Sequence, residues 1–277
     1  MFVFYVINFI SEVPIMKKEI NLNHRQAQIL EFIETQESVS VNSLIDSMQA
    51  SAATIRKDLA YLESLGLIRR TRGEAHIQNK THMPFIPFPL RSQSNVKEKK
   101  AIAKRAVEFI NDGDTIILDD GTTTLEIANL LGSFHNLTVI THSFDIANIL
   151  CGNPNISVIV PGGILTHETR SLLGPYTESF YSTIEANKFF LSATGVRRQT
   201  GLTVTSPLEV SVKTNAIHAS KHVIAVFDAS KWEQTAMSLC ASFQDLDVII
   251  TNNSIHIDEE MKNILSDCNV ELVLVNN

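Results

Sequence analysis

Between residues 115 and 275 the chain alternates short apolar runs with segments of helical length, and this alternation constrains its fold more than any other feature. The runs are 115–118, 137–140, 156–160, 189–193, 222–227, 248–251 and 270–275; residues 144–150, 208–219 and 258–265 are among the helical segments between them. Runs this short and apolar throughout read as strands covered on both faces. A helix between successive strands returns the chain to the same sheet edge, which makes neighbouring strands parallel. The expected architecture is therefore an α/β domain over residues 95–277, with a largely parallel sheet. It opens with a helix over 96–110 whose Lys97-Glu98-Lys99-Lys100 cluster is expected to face water. No internal repeat of fixed period is visible.

In such sheets ligands collect where strands end and helices begin. Asp119-Asp120-Gly121-Thr122-Thr123-Thr124 occupies one such junction. Gly121 permits a tight turn and three hydroxyls follow it, a combination suited to a phosphate or a carboxylate. An Asp-Gly turn followed by threonine caps explains the same residues equally well when taken alone. Thr141-His142-Ser143 and Pro161-Gly162-Gly163 follow the next two strands, and three polar loops converging on one crevice favour a ligand site.

The N-terminal part is organised differently. Apolar residues at Ile29, Leu30 and Ile33 give a helical stripe. Ser40 is a good N-cap for a second short helix, Gln49-Ala50 connects it to a third, and Ser51 caps that one. Ile55, Leu59, Leu62 and Leu65 bury one stripe of the third helix. Its opposite face carries Thr54, Arg56, Lys57 and Tyr61. Two short helices so spaced form a helix-turn-helix, whose second helix enters a DNA major groove. The residues 66–75 follow as a hairpin turning near Gly73, with Arg69, Arg70 and Arg72 on a wing against the DNA backbone. Residues 21–77 are thus expected to form a winged helix-turn-helix. Residues 78–94, with Pro84, Pro87 and Pro89, are expected to form an extended linker. Residues 1–20 are set apart as an extension, with Met16 an alternative start.

The charge supports this division. The chain's net charge of −7 looks unfavourable for a nucleic-acid partner, but residues 1–105 carry 15 Lys and Arg against 10 Asp and Glu, and residues 106–277 carry 8 against 20. A head of +5 is joined to a body of −12. Three scattered cysteines indicate neither a disulfide framework nor a zinc site and fit a reducing cytoplasm. No apolar run approaches the ~18 residues of a spanning helix, and no histidine spacing suggests a metal. No membrane, metal or cofactor is expected.

The segment Ser51-Ala-Ala-Thr54-Ile-Arg56-Lys57-Asp58-Leu59, with Leu62-Glu63 and Gly66-Leu-Ile-Arg69, resembles the N-terminal domain of DeoR-type bacterial transcriptional regulators. Phe88-Pro-Leu-Arg91 matches that family's F-x-x-R segment. Asp119-x-Gly121-Thr-Thr-Thr124, Gly162-Gly163, Gly174, Asn187-Lys-Phe-Phe190, Gly195, Gly201-Leu202 and Asp228-Ala-Ser-Lys231 resemble its C-terminal sensor domain, which is similar to ribose-5-phosphate isomerase. The chain departs from the family pattern at Glu74, His142 and Asn187. The resemblance implies a double-stranded DNA operator, a phosphorylated sugar or polyol effector and a homo-oligomer, dimer or tetramer. It places the effector phosphate at Gly121, Thr122, Thr123 and Thr124, with Asp119 on sugar hydroxyls. His142, Gly162, Gly163, Lys213 and Lys231 are further candidates. DNA contacts fall to Ser51, Thr54, Arg56, Lys57, Arg69, Arg70 and Arg72.

Two other function classes compete with a regulator. A sugar-phosphate isomerase with an appended DNA-binding domain would need a carboxylate to move a proton between adjacent carbons, and Asp119, Asp120 or Glu209 are available. An architectural DNA-binding protein would leave the Gly/Thr loops unexplained. The expectation is a repressor of a carbohydrate-metabolism operon with no catalytic residues. Residues 166–171 and 197–200 are expected to set the choice of effector.

Overall fold

A computed structural model of the chain describes residues 24–36, 38–64, 68–71, 73–77, 88–254 and 257–276. The expectations for residues 1–20, for Arg72 and for most of the linker lie outside the described residues.

The N-terminal unit comprises α1 (His24–Gln36), β1 (Ser38–Ser40), α2 (Val41–Met48), α3 (Ala52–Ser64), β2 (Ile68–Arg70) and β3 (Glu74–Ile77). The Ser40 side chain accepts the Ser43 amide at the start of α2, and Gln49 takes a left-handed conformation at its end. That turn redirects the chain within three residues, because Ser51 Oγ then accepts the Thr54 amide to begin α3. Ile29, Ile33, Leu44, Ile55, Leu59 and Leu62 bury together with Val39, Ile68 and Ala75. The wing has three strands in the order β1-β3-β2, all antiparallel. The first of them has no sequence signature, being a Ser-Val-Ser triplet that also supplies the cap of α2.

The second unit begins within the expected linker. Residues Phe88–Gln93 form a helix, α4, although prolines disfavour helix; Pro89 is its second residue, where a missing amide proton costs no hydrogen bond. There follow α5 (Val96–Val107), β4 (Thr115–Leu118), α6 (Thr122–Ala128), β5 (Leu137–Thr141), α7 (Phe144–Leu150) and β6 (Ile156–Ile159). A hairpin of β7 (Ile164–Thr166) and β8 (Ser171–Leu173) precedes α8 (Pro175–Tyr181) and β9 (Ala186–Leu191). The remainder is β10 (Gly195–Arg197), β11 (Gly201–Val204), α9 (Pro207–His218), β12 (Ser220–Val226), β13 (Ser238–Ser242), β14 (Val248–Asn252), α10 (Glu259–Asp267) and β15 (Glu271–Val275).

Seven strands form one parallel sheet in the order β6-β5-β4-β9-β12-β14-β15. Successive residues alternate between two cores, as the pleat requires. Ile116, Leu118, Phe190, Ile224 and Val226 bury with α5, α6 and α7 residues on one face. Ile117, Phe189, Leu191, Val223 and Ala225 bury with α8, α9 and α10 residues on the other. A separate antiparallel sheet, β10-β11-β13, packs on the second core. From β4 the chain winds outward through β5 and β6. It then returns to β9 on the opposite side and winds outward again. The boundary between β4 and β9 is the switch point of the sheet.

Candidate functional site

Two surfaces concentrate the chemistry. On α3, Arg56 and Lys57 are exposed while Thr54 and Tyr61 are half-buried. Ser51 and Thr54 bond each other through their hydroxyls at 2.8 Å, so both help close the first turn. The helix is held from behind by Asp58, which is buried and accepts from Arg25 Nε at 2.7 Å and Gln26 Nε2 at 2.8 Å on α1. Sequence inspection assigned Asp58 no role; here it fixes the angle at which α3 presents its basic face. The wing arginines differ. Arg69 is exposed. Arg70 is engaged with Glu63 of α3 through its backbone amide and its guanidinium, and these bonds pull the Glu63 carboxyl below its usual range.

The second surface lies at the carboxyl ends of β4 and β9. Asp119 follows β4 and is fully buried. Its Oδ2 accepts from the Ser192 amide at 2.8 Å and hydroxyl at 2.6 Å, immediately past β9. Lys213 of α9 reaches the same oxygen at 2.5 Å and Asp120 Oδ1 at 3.2 Å. His142 Nε2 lies 3.4 Å from Asp119 Oδ1, and its Nδ1 meets the Tyr181 hydroxyl at 2.9 Å. Burial alone would raise the Asp119 carboxyl, but the Lys213 ammonium and His142 hold it well below the usual range. Burial likewise opposes the Lys213 charge and is outweighed by Asp119 and Asp120, so its pKa rises. Asp119, Asp120 and His142 are donor types that could surround a metal, but the ammonium of Lys213 already supplies the positive charge there.

Above this buried cluster lies a cleft. One wall carries Arg91, Ser94 and Lys99, another Gly121, Thr122 and Thr123, and a third Asp228 and Lys231. Ser192, Thr194, Thr205, Thr169 and Glu209 complete the lining. The three threonines form the first turn of α6. Lys99 is not solvated, as its Lys/Glu cluster suggested, but 4% exposed, and burial, with Lys231 and Arg91 nearby, lowers its pKa to about 8. Glu209 is raised to about 7 by burial and by the charge of Asp120.

Of the residues expected to meet an effector, Gly121, Thr122, Thr123 and Lys231 line the cleft. Asp119, His142 and Lys213 do not; each is buried beneath it and engaged with its neighbours. Thr124 is also buried, its hydroxyl donating to the Asp119 and Gly121 carbonyls. Gly162 and Gly163 lie outside the lining and pack on α8, the Gly162 carbonyl accepting from Thr177 Oγ1 at 2.6 Å. Sequence reasoning missed Lys99, Ser192, Thr194 and Thr205, and saw Arg91 only as part of a resemblance. Ser192 had one readable signal, its place as the polar residue within the apolar run 189–193.

Residues 25–81 match the model of the DeoR-like helix-turn-helix domain, and residues 94–253 that of the DeoR C terminal sensor domain. The chain is 36% identical over 230 residues to the transcriptional repressor AccR of Agrobacterium fabrum, covering 83% of this chain and 89% of that protein. It is 36% identical over 252 residues to the HTH-type transcriptional regulator YulB of Bacillus subtilis, covering 91% and 96%. Among solved structures, ribose 5-phosphate isomerase A from Methanocaldococcus jannaschii is similar over 50% of this chain and 55% of its own, at 17% identity and a TM-score of 0.36. That likeness is too slight to bear on the site. The curated relatives are regulators over nearly their whole length, which decides against an enzyme. The chain belongs to the DeoR family of DNA-binding transcriptional regulators.

Proposed function

We propose that this regulator is a repressor of a carbohydrate-metabolism operon, released from its operator when a phosphorylated sugar or polyol occupies the cleft. The observation that carries the reading is the gathering of Arg91, Lys99 and Lys231 with the hydroxyls of Thr122 and Thr123 at the switch point of the sheet. Three cations in one partly enclosed space favour a dianion, because each raises the cost of the others' charge until an anion enters. Thr194, Thr205 and Glu209 supply donors and acceptors for the hydroxyls of a sugar. Asp119, Lys213, His142 and Tyr181 form a rigid floor rather than the contact surface, and Gly162 and Gly163 shape the neighbouring loop.

The basic face of α3 enters the major groove, with Arg56 and Lys57 on base edges or phosphates and Arg69 on the backbone. A homo-oligomer, dimer or tetramer, sets two such faces on half-sites ~34–36 Å apart. The test is retardation of the DNA upstream of the chain's own gene, titrated with a panel of phosphorylated sugars and polyols. One member of the panel should dissolve the complex at low concentration. A complex indifferent to every member and to salt refutes the reading.

A further inference from the structure

The helix α4 has six residues and leads from residues 78–87 into the sensor unit. The last carbonyls of any helix lack partners within it. Here two carbonyls at this end, those of Arg91 and Ser94, both accept from Lys99 Nζ, the Ser94 bond measuring 2.5 Å, and the Arg91 carbonyl also accepts from the Ser94 hydroxyl at 3.1 Å. Lys99 stands on the first turn of α5 and its side chain is almost wholly buried. One ammonium therefore fastens the end of α4 to α5. Asn95, between the two helices, is held separately by Asp228 Oδ1 at 2.9 Å.

Lys99 is also one of the residues that line the cleft, with Arg91 and Ser94. The charges that face its ammonium are Arg91 and Lys231, which disfavour the protonated form, and Asp228 and Glu126, which favour it. Its present partners are neutral carbonyls. A phosphate dianion is a stronger acceptor for an ammonium than a neutral carbonyl, since both partners then carry charge. The ammonium has three N–H donors and gives two to these carbonyls; a dianion beside it takes the third and, as the stronger acceptor, competes with the carbonyls for the other two.

We infer that Lys99 is the positioning residue that couples occupancy of the cleft to the connecting segment: an anion draws its ammonium from the Arg91 and Ser94 carbonyls and frees the end of α4. The other end of α4 is joined through residues 78–87 to β3 of the wing, so the release acts on the segment that carries the DNA-binding unit. This rests on the reading of the cleft as the effector site, and its direction follows from it: occupancy loosens the connection.

Hydrogen exchange of the full chain tests it, with inorganic phosphate compared against potassium chloride at equal ionic strength. Amides of residues 88–98 should exchange several-fold faster in phosphate, while those of 119–125 exchange more slowly. Protection at 119–125 with residues 88–98 unchanged overturns the coupling and leaves the cleft reading intact. No change in either segment overturns both. Lys99→Met should show fast exchange at 88–98 with or without phosphate, and Lys99→Arg should restore the phosphate response. A folded Lys99→Met protein with slow exchange there refutes the assignment; if that variant fails to fold, the wild-type comparison decides alone.

Discussion

Lys213 Nζ lies 2.5 Å from Asp119 Oδ2 in a place where the two side chains are 1% and 0% exposed. Three acidic side chains, Asp119, Asp120 and Glu209, act on this one ammonium and raise its pKa, and Asp119 meets His142 besides. Placing charges so deep is unfavourable in itself, and a buried pair that loses one partner leaves an uncompensated charge. The arrangement ties α9 to the ends of β4 and β9, which explains how the floor remains fixed beneath the cleft.

Removing the ammonium should therefore cost far more than removing a surface charge. Lys213→Met is expected to destabilise the chain by about 3–5 kcal/mol. Asp119→Asn added to it should recover part of that loss, because the double variant no longer buries the unpaired carboxylate. Guanidinium denaturation of the two variants and the wild type measures both effects. Equal stability of the single variant and the wild type would rule the pair out as a structural tie.

Glu209 makes stability depend on pH in the opposite sense to Asp119. Its carboxyl holds a proton up to about pH 7 in the folded chain and only to the ordinary glutamate range when unfolded. Between those values the folded state binds more protons, so stability falls as pH rises and levels off above about 7. Asp119, whose pKa is depressed, contributes a loss only as the solution becomes strongly acidic. Comparing denaturation at pH 5.5 and 7.5, the wild type should lose on the order of 1–2 kcal/mol more than Glu209→Gln. Identical pH profiles would show that Glu209 is ionised throughout.

The DNA-binding face is expected to divide its arginines. Arg56→Ala, Lys57→Ala and Arg69→Ala should each weaken binding and lower the salt slope by about 1, the signature of one lost phosphate contact. Arg70→Ala should change the slope less, because Glu63 already holds the guanidinium at 2.6 Å. As an exposed pair screened by solvent, that bridge should contribute little to stability. Fluorescence anisotropy on the upstream DNA over a range of potassium chloride measures each slope. A larger loss for Arg70→Ala than for Arg69→Ala would reverse the assignment.

The seven-stranded sheet could be read in advance because its strands are covered on both faces, which leaves uninterrupted runs such as 115–118 and 248–251. The sheet β10-β11-β13 could not. Its strands are three to five residues long, and they rely on Gly195 and Gly201, where a Cβ would stand 2.3 Å from the Gln234 carbonyl oxygen and 2.1 Å from that of Ala241. Such approaches leave no pattern in a sequence. The cleft was legible along one wall, Gly121 to Thr123, and at Lys231, but little elsewhere, because its other walls come from segments brought together by strand order. Nothing in the local sequence says that β4 lies beside β9, or that a lysine in a Lys/Glu cluster turns inward to meet two carbonyls.

That adjacency can be tested at a single atom. Gly121 has an ordinary extended backbone at φ −80°, so it is not required for its conformation. It is required for space: a Cβ there would stand 2.3 Å from Ser192 Cβ and 2.5 Å from Ser192 Oγ, the hydroxyl that holds Asp119. Ser192 Cβ cannot rotate away, so the end of β9 must move relative to β4. Gly121→Ala should then cost about 1–3 kcal/mol, as overpacking does, and weaken phosphate binding through the displaced cleft wall. Gly132→Ala, whose Cβ would meet nothing within 4 Å, should be near neutral and serves as the control. Denaturation and a thermal shift in inorganic phosphate read the two effects on each variant. If both substitutions behave alike, the close approach of the β4 and β9 ends does not govern the cleft.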